Sequence, residues 1–318
     1  MSDTRMLRVE RLTRLADDVV EVRLVDPAGG ALPSWEAGAH VTLDLPVGLT
    51  RQYSLCGPPA DRTGWTVAVH RAPDSRGGSA WLHDALRIGA LVPVGGPHQD
   101  FPLTTGTENL LVAGGIGITP ILAMARALAA AGADWALLYC GRRRTALAYL
   151  DELADLDPDG SRVRVHLDDE VGGPADLAAE LAARPAATVH CCGPAPMLDA
   201  VLAAAPDPGR VHIERFRAPE AAPADTGTAG AGFDVHCAAS DVRLRVEPGV
   251  TVLSVLAGAG LGVPSSCEEG ICGTCEVKVL AGEPEHRDHV LTDAERADGG
   301  SMFVCVSRSR SSELVLDL

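Results

Sequence analysis

Between Met6 and about residue 100, apolar and polar residues alternate in short runs: MLRVERLTRL, VVEVRLV, HVTLDL, RQYSLC and WTVAVHR, separated by Gly, Pro and Asp turns. A period of two turns one face of each run towards a core and the other towards water. Several short strands at this spacing predict a small antiparallel barrel. A helix is expected from about Ser79, where GSAWLHDAL follows the turn-forming PDSRGG. From about Asn109 the pattern changes to LLVA, a buried strand, the turn GGIGITP, and the helix ILAMARALAAAG ending at Gly132. WALLYC, TALAYLDEL, RVRVHL and ATVHCC continue the alternation as strand, helix, strand and strand. That order predicts a parallel, doubly wound sheet. APEAAPADTGTAGAG has no apolar periodicity and is expected to be a linker. The boundaries that follow are 1–105 for the barrel, 106–217 for the α/β segment, 218–232 for the linker and 233–318 for a third domain.

Charge and apolar run length narrow the class. With 43 acidic against 27 basic residues, a net charge of −16 argues against sequence-independent binding to nucleic acid. The acidic surface is most simply a solvated one that maintains solubility. The longest apolar stretch, Ile118 to Cys140, is interrupted by Arg126 and Asp134 and is no membrane span. The N-terminal MSDTRMLRVERL has no apolar run of signal-peptide length, so a cytoplasmic protein is expected, in which disulfides are improbable; a monomer is the separate expectation for its assembly.

Nine cysteines then become informative. Cys267, Cys272, Cys275 and Cys305 have the spacing C-x4-C-x2-C-x29-C, that of plant-type 2Fe-2S centres. Gly270, Gly273 and Thr274 are the small neighbours that three thiolates on one tight loop require, and the fourth is expected on the strand FVCVS. Structural zinc also takes four thiolates, but usually from two paired hairpins, whereas here the fourth Cys is alone. Cys56, Cys140, Cys191 and Cys237 are expected to be small buried apolar residues.

Gly114-Gly115-Ile116-Gly117-Ile118-Thr119-Pro120 lies between a buried strand and a helix, where glycines admit a pyrophosphate to the helix N-terminus. Thr119 is expected as N-cap and Pro120 at the first helical position. The turn departs from G-x-G-x-x-G, and Arg142, Arg143 and Arg144 stand where a ribose-binding acid would be expected. Those arginines could meet a 2′-phosphate or form an ordinary basic turn. Arg51-Gln52-Tyr53-Ser54-Leu55 ends a strand, Gly77-Gly78-Ser79 opens a helix, and Cys192-Gly193-Pro194 follows another strand. Standing alone, Arg51 and Tyr53 would be an edge-strand surface pair and Phe216 a plain core residue.

Taken in order, RxYSL, GGS, GGIGITP and CGP resemble the ferredoxin-NADP reductase superfamily over residues 1 to about 217. Followed by the four-Cys segment, the whole chain resembles the phthalate dioxygenase reductase family, which includes vanillate demethylase reductases. The resemblance implies a multidomain fold: an antiparallel β-barrel flavin domain, a doubly wound α/β nucleotide domain and an α+β, ferredoxin-like (β-grasp) 2Fe-2S domain. It implies FMN held by Arg51, Tyr53, Ser54, Val69, His70, Gly77, Gly78, Ser79 and Thr119. His70 stands where many relatives carry Lys. It implies a nicotinamide nucleotide, NADH with NADPH as the alternative, at Gly115, Gly117, Ile118, Arg142, Cys192, Gly193 and Pro194. Cys192 would position the nicotinamide and Phe216 would cover the flavin ring. The implied activity is an NAD(P)H-dependent oxidoreductase that passes electrons through FMN and the cluster to a partner oxygenase, Rieske-type or haem-containing. A redox sensor that uses the cluster without turnover is the alternative reading.

Overall fold

The computed structural model describes residues 4–46, 48–73, 75, 77–217 and 232–318. The expected linker falls on residues outside the described ones, except Gly232. The chain divides into two compact units, Met1–Phe216 and Arg217–Leu318.

In the first unit, β1 (Arg5–Ala16), β2 (Val19–Val25), β3 (Ala39–Leu45), β4 (Leu49–Ser54), β5 (Trp65–His70), α1 (Gly78–Asp84) and β6 (Leu91–Gln99) come first. The six strands form an antiparallel sheet in the order β4-β3-β6-β1-β2-β5. The chain beyond β4 returns to β5 through a Leu55–Val67 bridge and a Cys56 N–H that donates to the Thr66 carbonyl, which closes the barrel. Leu7 and Val9, Val22 and Leu24, Val41 and Leu43, and Val92 and Val94 are all buried, as their alternation demands.

The second layer holds β7 (Asn109–Gly114), α2 (Ile118–Ala130), β8 (Trp135–Gly141), α3 (Leu150–Leu156), β9 (Val163–Leu167), α4 (Asp168–Val171), α5 (Leu177–Ala182), β10 (Thr188–Cys192), α6 (Ala195–Ala204) and β11 (Val211–Glu214). The strands are all parallel, in the order β11-β10-β7-β8-β9. Every residue of β7 is buried, as expected of a central strand covered on both faces. Its even residues Leu110 and Val112 pack with Leu177, Leu181, Leu198 and Val201 of α5 and α6. Its odd residues Leu111 and Ala113 join α2 in a core that continues without interruption into the barrel.

Three expectations need correction. The helix after β7 begins earlier than expected, because a 3-10 turn over Gly115–Gly117 already winds the chain. Gly117 is the N-cap, Thr119 and Pro120 are the second and third helical residues, and Thr119 Oγ1 donates back to the Ile116 carbonyl. TALAYLDEL is only partly helical: a 3-10 turn at Arg144–Ala146 precedes α3, and Tyr149 between them has φ 64°. The strand expected to carry Cys305 stops at Phe303, and Cys305 lies in the turn beyond it.

The second unit contains β12 (Phe233–Cys237), β13 (Val242–Val246), α7 (Val252–Gly258), β14 (Glu276–Ala281), β15 (Pro284–Glu285), α8 (Asp293–Asp298), β16 (Ser301–Phe303), β17 (Arg308–Ser309) and β18 (Glu313–Leu316). Its main sheet runs β13-β12-β18-β14-β16, with the first and last strands of the unit paired in parallel at its centre. The helix α7 places Val252, Leu253 and Leu256 in one core with Phe233, Val235, Phe303 and Leu314. No helix among the described residues is long and apolar enough to cross a membrane.

The seam between barrel and parallel sheet also carries a buried polar contact. The Tyr149 hydroxyl donates to Glu21 Oε2 (3.1 Å) and lies 3.1 Å from the Cys56 thiol, while Arg126 of α2 donates to the Cys56 carbonyl and to Glu152. The backbone strain at Tyr149 is maintained by these contacts. Tyr149→Phe leaves Glu21 without this donor and should lower the unfolding free energy of the first unit by about 1–3 kcal/mol. Urea melts followed by tryptophan fluorescence report on that unit, since Trp35, Trp65, Trp81 and Trp135 all belong to it.

Candidate functional site

The strand order reverses between β7 and β10. The chain winds outward from β7 through β8 to β9, then returns to place β10 on the other side. Such a switch point leaves a crevice beyond the carboxyl ends of the two strands, where ligands bind in open α/β sheets. The two motifs expected to hold nucleotide lie at this point: Gly115–Gly117 follows β7 and Cys192-Gly193-Pro194 ends β10. Their approach is close. A Cβ on Gly117 would stand 2.1 Å from the Cys192 carbonyl oxygen, so only glycine fits there. Gly115, at φ 54°, has nothing within 4 Å of an added Cβ and presents open space beside the helix start. Pro194 and Met197 pack on Gly114. Ile118 and Thr119 are fully turned inward, so any contact they make with a ligand is through the backbone. Arg142 stands exposed past β8, while Arg143 and Arg144 lie 3.5 and 3.8 Å from Asp17 and Glu170.

At the same end of the sheet, the parallel register sets Glu214 of β11 beside Cys192. The Cys192 thiol is fully buried and points at Glu214 Oε2, 3.8 Å away. The Ser54 side chain, from the barrel, interacts with the same carboxyl. Burial first, with the charge of Asp100 adding to it and Cys192 and Ser54 opposing, pushes Glu214 up to about 8. Burial, and next the Glu214 charge, likewise push the Cys192 thiol up. Sequence reasoning named Cys192 and Ser54 and missed Glu214. The available signal was a single acid closing the otherwise unremarkable strand VHIE, two residues before Phe216. Phe216 itself is 38% exposed, an aromatic ring with a face left uncovered.

On the barrel, Arg51 lies along the start of α1. A Cβ on Gly78 would meet Arg51 Nε at 2.9 Å, so glycine lets the guanidinium rest against the helix N-terminus. Ser75 Oγ accepts from the Gly77 N–H and from the Ser79 hydroxyl, holding the loop in place. Tyr53 is partly buried against the barrel core, and burial raises its phenol. His70 is exposed at the end of β5. The Val69 side chain is turned inward, 1% exposed, and its carbonyl pairs with His83 Nε2, at 2.9 Å.

In the second unit, the four cysteines stand as two pairs. Cys267 interacts with Cys272, and Cys275 with Cys305. No three His, Cys, Asp or Glu residues among the described ones are grouped to hold a single metal ion. Two thiolates for each of two irons is the ligation of a 2Fe-2S cluster, whereas zinc asks four ligands around one point. The donor set therefore fits the cluster. The loop is shaped for it by Gly270 (φ 71°) and Gly273 (φ 74°), and the Glu269 N–H donates to Cys267 Sγ at 3.3 Å. Cys56, Cys140, Cys191 and Cys237 are all buried, as expected of structural thiols.

Comparison with known proteins agrees with this division. The family of oxidoreductase NAD-binding domains matches residues 111–202, and the family of 2Fe-2S iron-sulfur cluster binding domains matches residues 235–310. The phenoxybenzoate dioxygenase subunit beta of Ectopseudomonas oleovorans is 48% identical over 316 residues, 98% of this chain and 97% of that protein. The solved phthalate dioxygenase reductase, described as a modular structure for electron transfer from pyridine nucleotides to [2Fe-2S], superposes with a TM-score of 0.77 at 38% identity, covering 99% of this chain and 98% of that one. An intact type IV self-sufficient cytochrome P450 monooxygenase gives a TM-score of 0.84 at 43% identity over 99% of this chain, which spans only 41% of that protein. Closed barrel, switch-point crevice and paired-thiol domain together define a modular flavin and iron–sulfur reductase. Within that class, the chain belongs to the phthalate dioxygenase reductase family.

A carboxyl whose folded pKa is raised holds a proton that the unfolded chain has already released. Stability is then present at low pH and is lost as pH rises from the usual carboxylate range through about 8. Melting temperatures taken at pH 5 and pH 8 should therefore fall more in the wild-type protein than in Glu214→Gln.

Proposed function

We propose that the protein is the reductase component of an oxygenase system, taking a hydride from NADH at an FMN site and delivering electrons singly through its 2Fe-2S cluster to a terminal oxygenase. The observation that carries this reading is the convergence of Ser54, Cys192 and Glu214 at the switch-point crevice, where barrel and nucleotide layer meet. FMN, when bound, supplies the conversion of a two-electron hydride into two single-electron steps, which a nicotinamide and a one-electron cluster cannot perform between them.

The residues divide that work. Arg51, against the N-terminus of α1 at Gly77, Gly78 and Ser79, suits a phosphate by charge and by planar donor geometry. Tyr53 and Phe216 offer aromatic faces for the ring, and Ser54 a hydroxyl at its polar edge. Val69 and Thr119 contribute through the backbone, and His70 from the rim of β5. Gly115, Gly117 and Ile118 receive the nucleotide diphosphate at the start of α2. Cys192, Gly193 and Pro194 line the nicotinamide position, where hydride transfer needs reacting atoms at about 3–3.5 Å. Phe216 must move aside for the nicotinamide to stack. Arg143 and Arg144 already face acids, which favours NADH over NADPH. In the second unit, Cys267 and Cys272 are the less buried pair, the side from which a partner can approach.

Two kinds of partner follow from the relatives: a Rieske-type oxygenase, as the dioxygenase systems suggest, and a haem monooxygenase, as the fused P450 suggests. The Rieske-type partner is our first reading, with the reductase a cytoplasmic monomer. A sensor without turnover would not reduce cytochrome c rapidly with NADH.

Anaerobic NADH should bleach flavin absorbance and then cluster absorbance. In Cys272→Ser the flavin should still bleach while reduction of cytochrome c or the oxygenase is lost. Normal partner reduction by that variant would overturn the relay. Arg51→Ala should weaken FMN binding by about tenfold to a hundredfold, the equivalent of losing a charged hydrogen bond, as read by fluorescence titration of FMN into the deflavinated protein.

A further inference from the structure

Two pairs of cysteines can hold one cluster only if the arms that carry them keep a fixed spacing. One arm is the loop with Cys267 and Cys272, and the other is the turn with Cys305. We infer that Asp288 is a positioning residue for this spacing: it shapes the segment 287–289 so that one backbone N–H reaches each arm. The inference rests on the iron–sulfur cluster of the function proposed above, and on neither its electron donor nor its acceptor.

The hydrogen bonds alternate along the segment. The Arg287 N–H donates to Ser307 Oγ at 3.2 Å, and the His289 N–H donates to the Gly270 carbonyl at 2.8 Å. Ser307 follows Cys305 by two residues and closes its turn, its own N–H donating to the Phe303 carbonyl at 3.0 Å. Gly270 lies between Cys267 and Cys272, and the three pieces of chain meet there. A Cβ on Gly270 would stand 2.6 Å from Val306 Cγ2 and 3.1 Å from Asp288 Cα, so the loop rests directly on both the turn and the segment.

Asp288, between the two donors, has a side chain with no exposed surface. Its Oδ2 accepts from the Val290 and Leu291 N–H groups at 3.1 and 2.9 Å, which bends the chain directly after His289. Arg296, on α8, clamps the same bend: Nη2 donates to the Asp288 carbonyl at 2.6 Å and Nε to the Leu291 carbonyl at 3.0 Å. The other carboxylate oxygen, Oδ1, has no hydrogen-bond partner, and neither has either ring nitrogen of His286, whose Nδ1 lies 3.8 Å from it. Buried polar atoms without partners are rare in native proteins. A small turn of that imidazole, or one bridging water, gives Oδ1 its donor. Burying a carboxylate is costly, and a turn that only reversed the chain would lie at the surface. This one is enclosed because the cluster loop packs on its Cα.

Full-length protein reduced with dithionite reports on the spacing through the EPR g values of its cluster, which follow the arrangement of the thiolates around the irons. Asp288→Ala should move those g values and speed the loss of cluster to an iron chelator by about tenfold, as expected when buried hydrogen bonds are lost. Asp288→Asn keeps an oxygen acceptor for the same two N–H groups and should restore the wild-type g values. A role in stability alone would speed cluster loss and leave the g values unchanged. A role of the carboxylate charge alone would make Asp288→Asn behave as Asp288→Ala does. Either result overturns the proposal. Should Asp288→Ala assemble no cluster, Ser307→Ala removes the acceptor on one arm only: shifted g values then support the proposal and unchanged ones overturn it. Chemical reduction bypasses the flavin, so failure of NADH to bleach the wild-type flavin would remove the functional reading and leave this test intact.

Discussion

The arrangement depends on α2 belonging to two cores at once. Its inward face covers one side of the parallel sheet, and the same apolar cluster continues into the closed barrel. Close-packed interiors transmit displacement rather than absorb it, so the barrel residues Arg51 to Ser54 and the strand ends at Gly114 and Cys192 occupy fixed positions relative to one another. Hydride chemistry demands such fixity, because an error of an ångström at the reacting atoms is expensive. Tyr149, Glu21 and Cys56 add a polar fastening to the same seam.

The sequence made much of this legible because the relevant signals were local. Alternation over β1 to β6 needed only a period of two, and the four-Cys loop needed only its spacing. The turn GGIGITP was visible as a glycine-rich passage between strand and helix, although its helix start was misplaced. Gly115 lets the chain wind into a 3-10 turn before Thr119 is reached, and propensity alone does not show that. TALAYLDEL had helical composition throughout, yet tertiary contacts at Tyr149 delay α3 by several residues. The side chain of Val69 lies inside the barrel, and a position along the chain does not by itself reveal which way a strand residue faces.

Glu214 and His40 were illegible for a different reason. Each acquires meaning only from register: Glu214 from its alignment with Cys192 across parallel strands, His40 from its place between Ser54 and His98. Register between distant segments is a property of the assembled sheet. Read along the chain, a lone acid and a lone histidine are ordinary strand residues. Read across it, they stand beside Cys192, Ser54 and His98.

The burial of Cys56, Cys140, Cys191, Cys192 and Cys237 has a chemical consequence. Thiol oxidation proceeds through the thiolate and requires access. Burial withholds both, and it holds the Cys56 and Cys191 thiols up at about 12. A reductase that serves oxygen-activating partners works where peroxide and superoxide arise as by-products. Its cysteine sulfur is then either committed to iron or sealed from solvent, so thiol oxidation from outside meets, among the described residues, only the cluster loop. The chain can carry nine cysteines through such an environment with its accessible thiol chemistry confined to that loop.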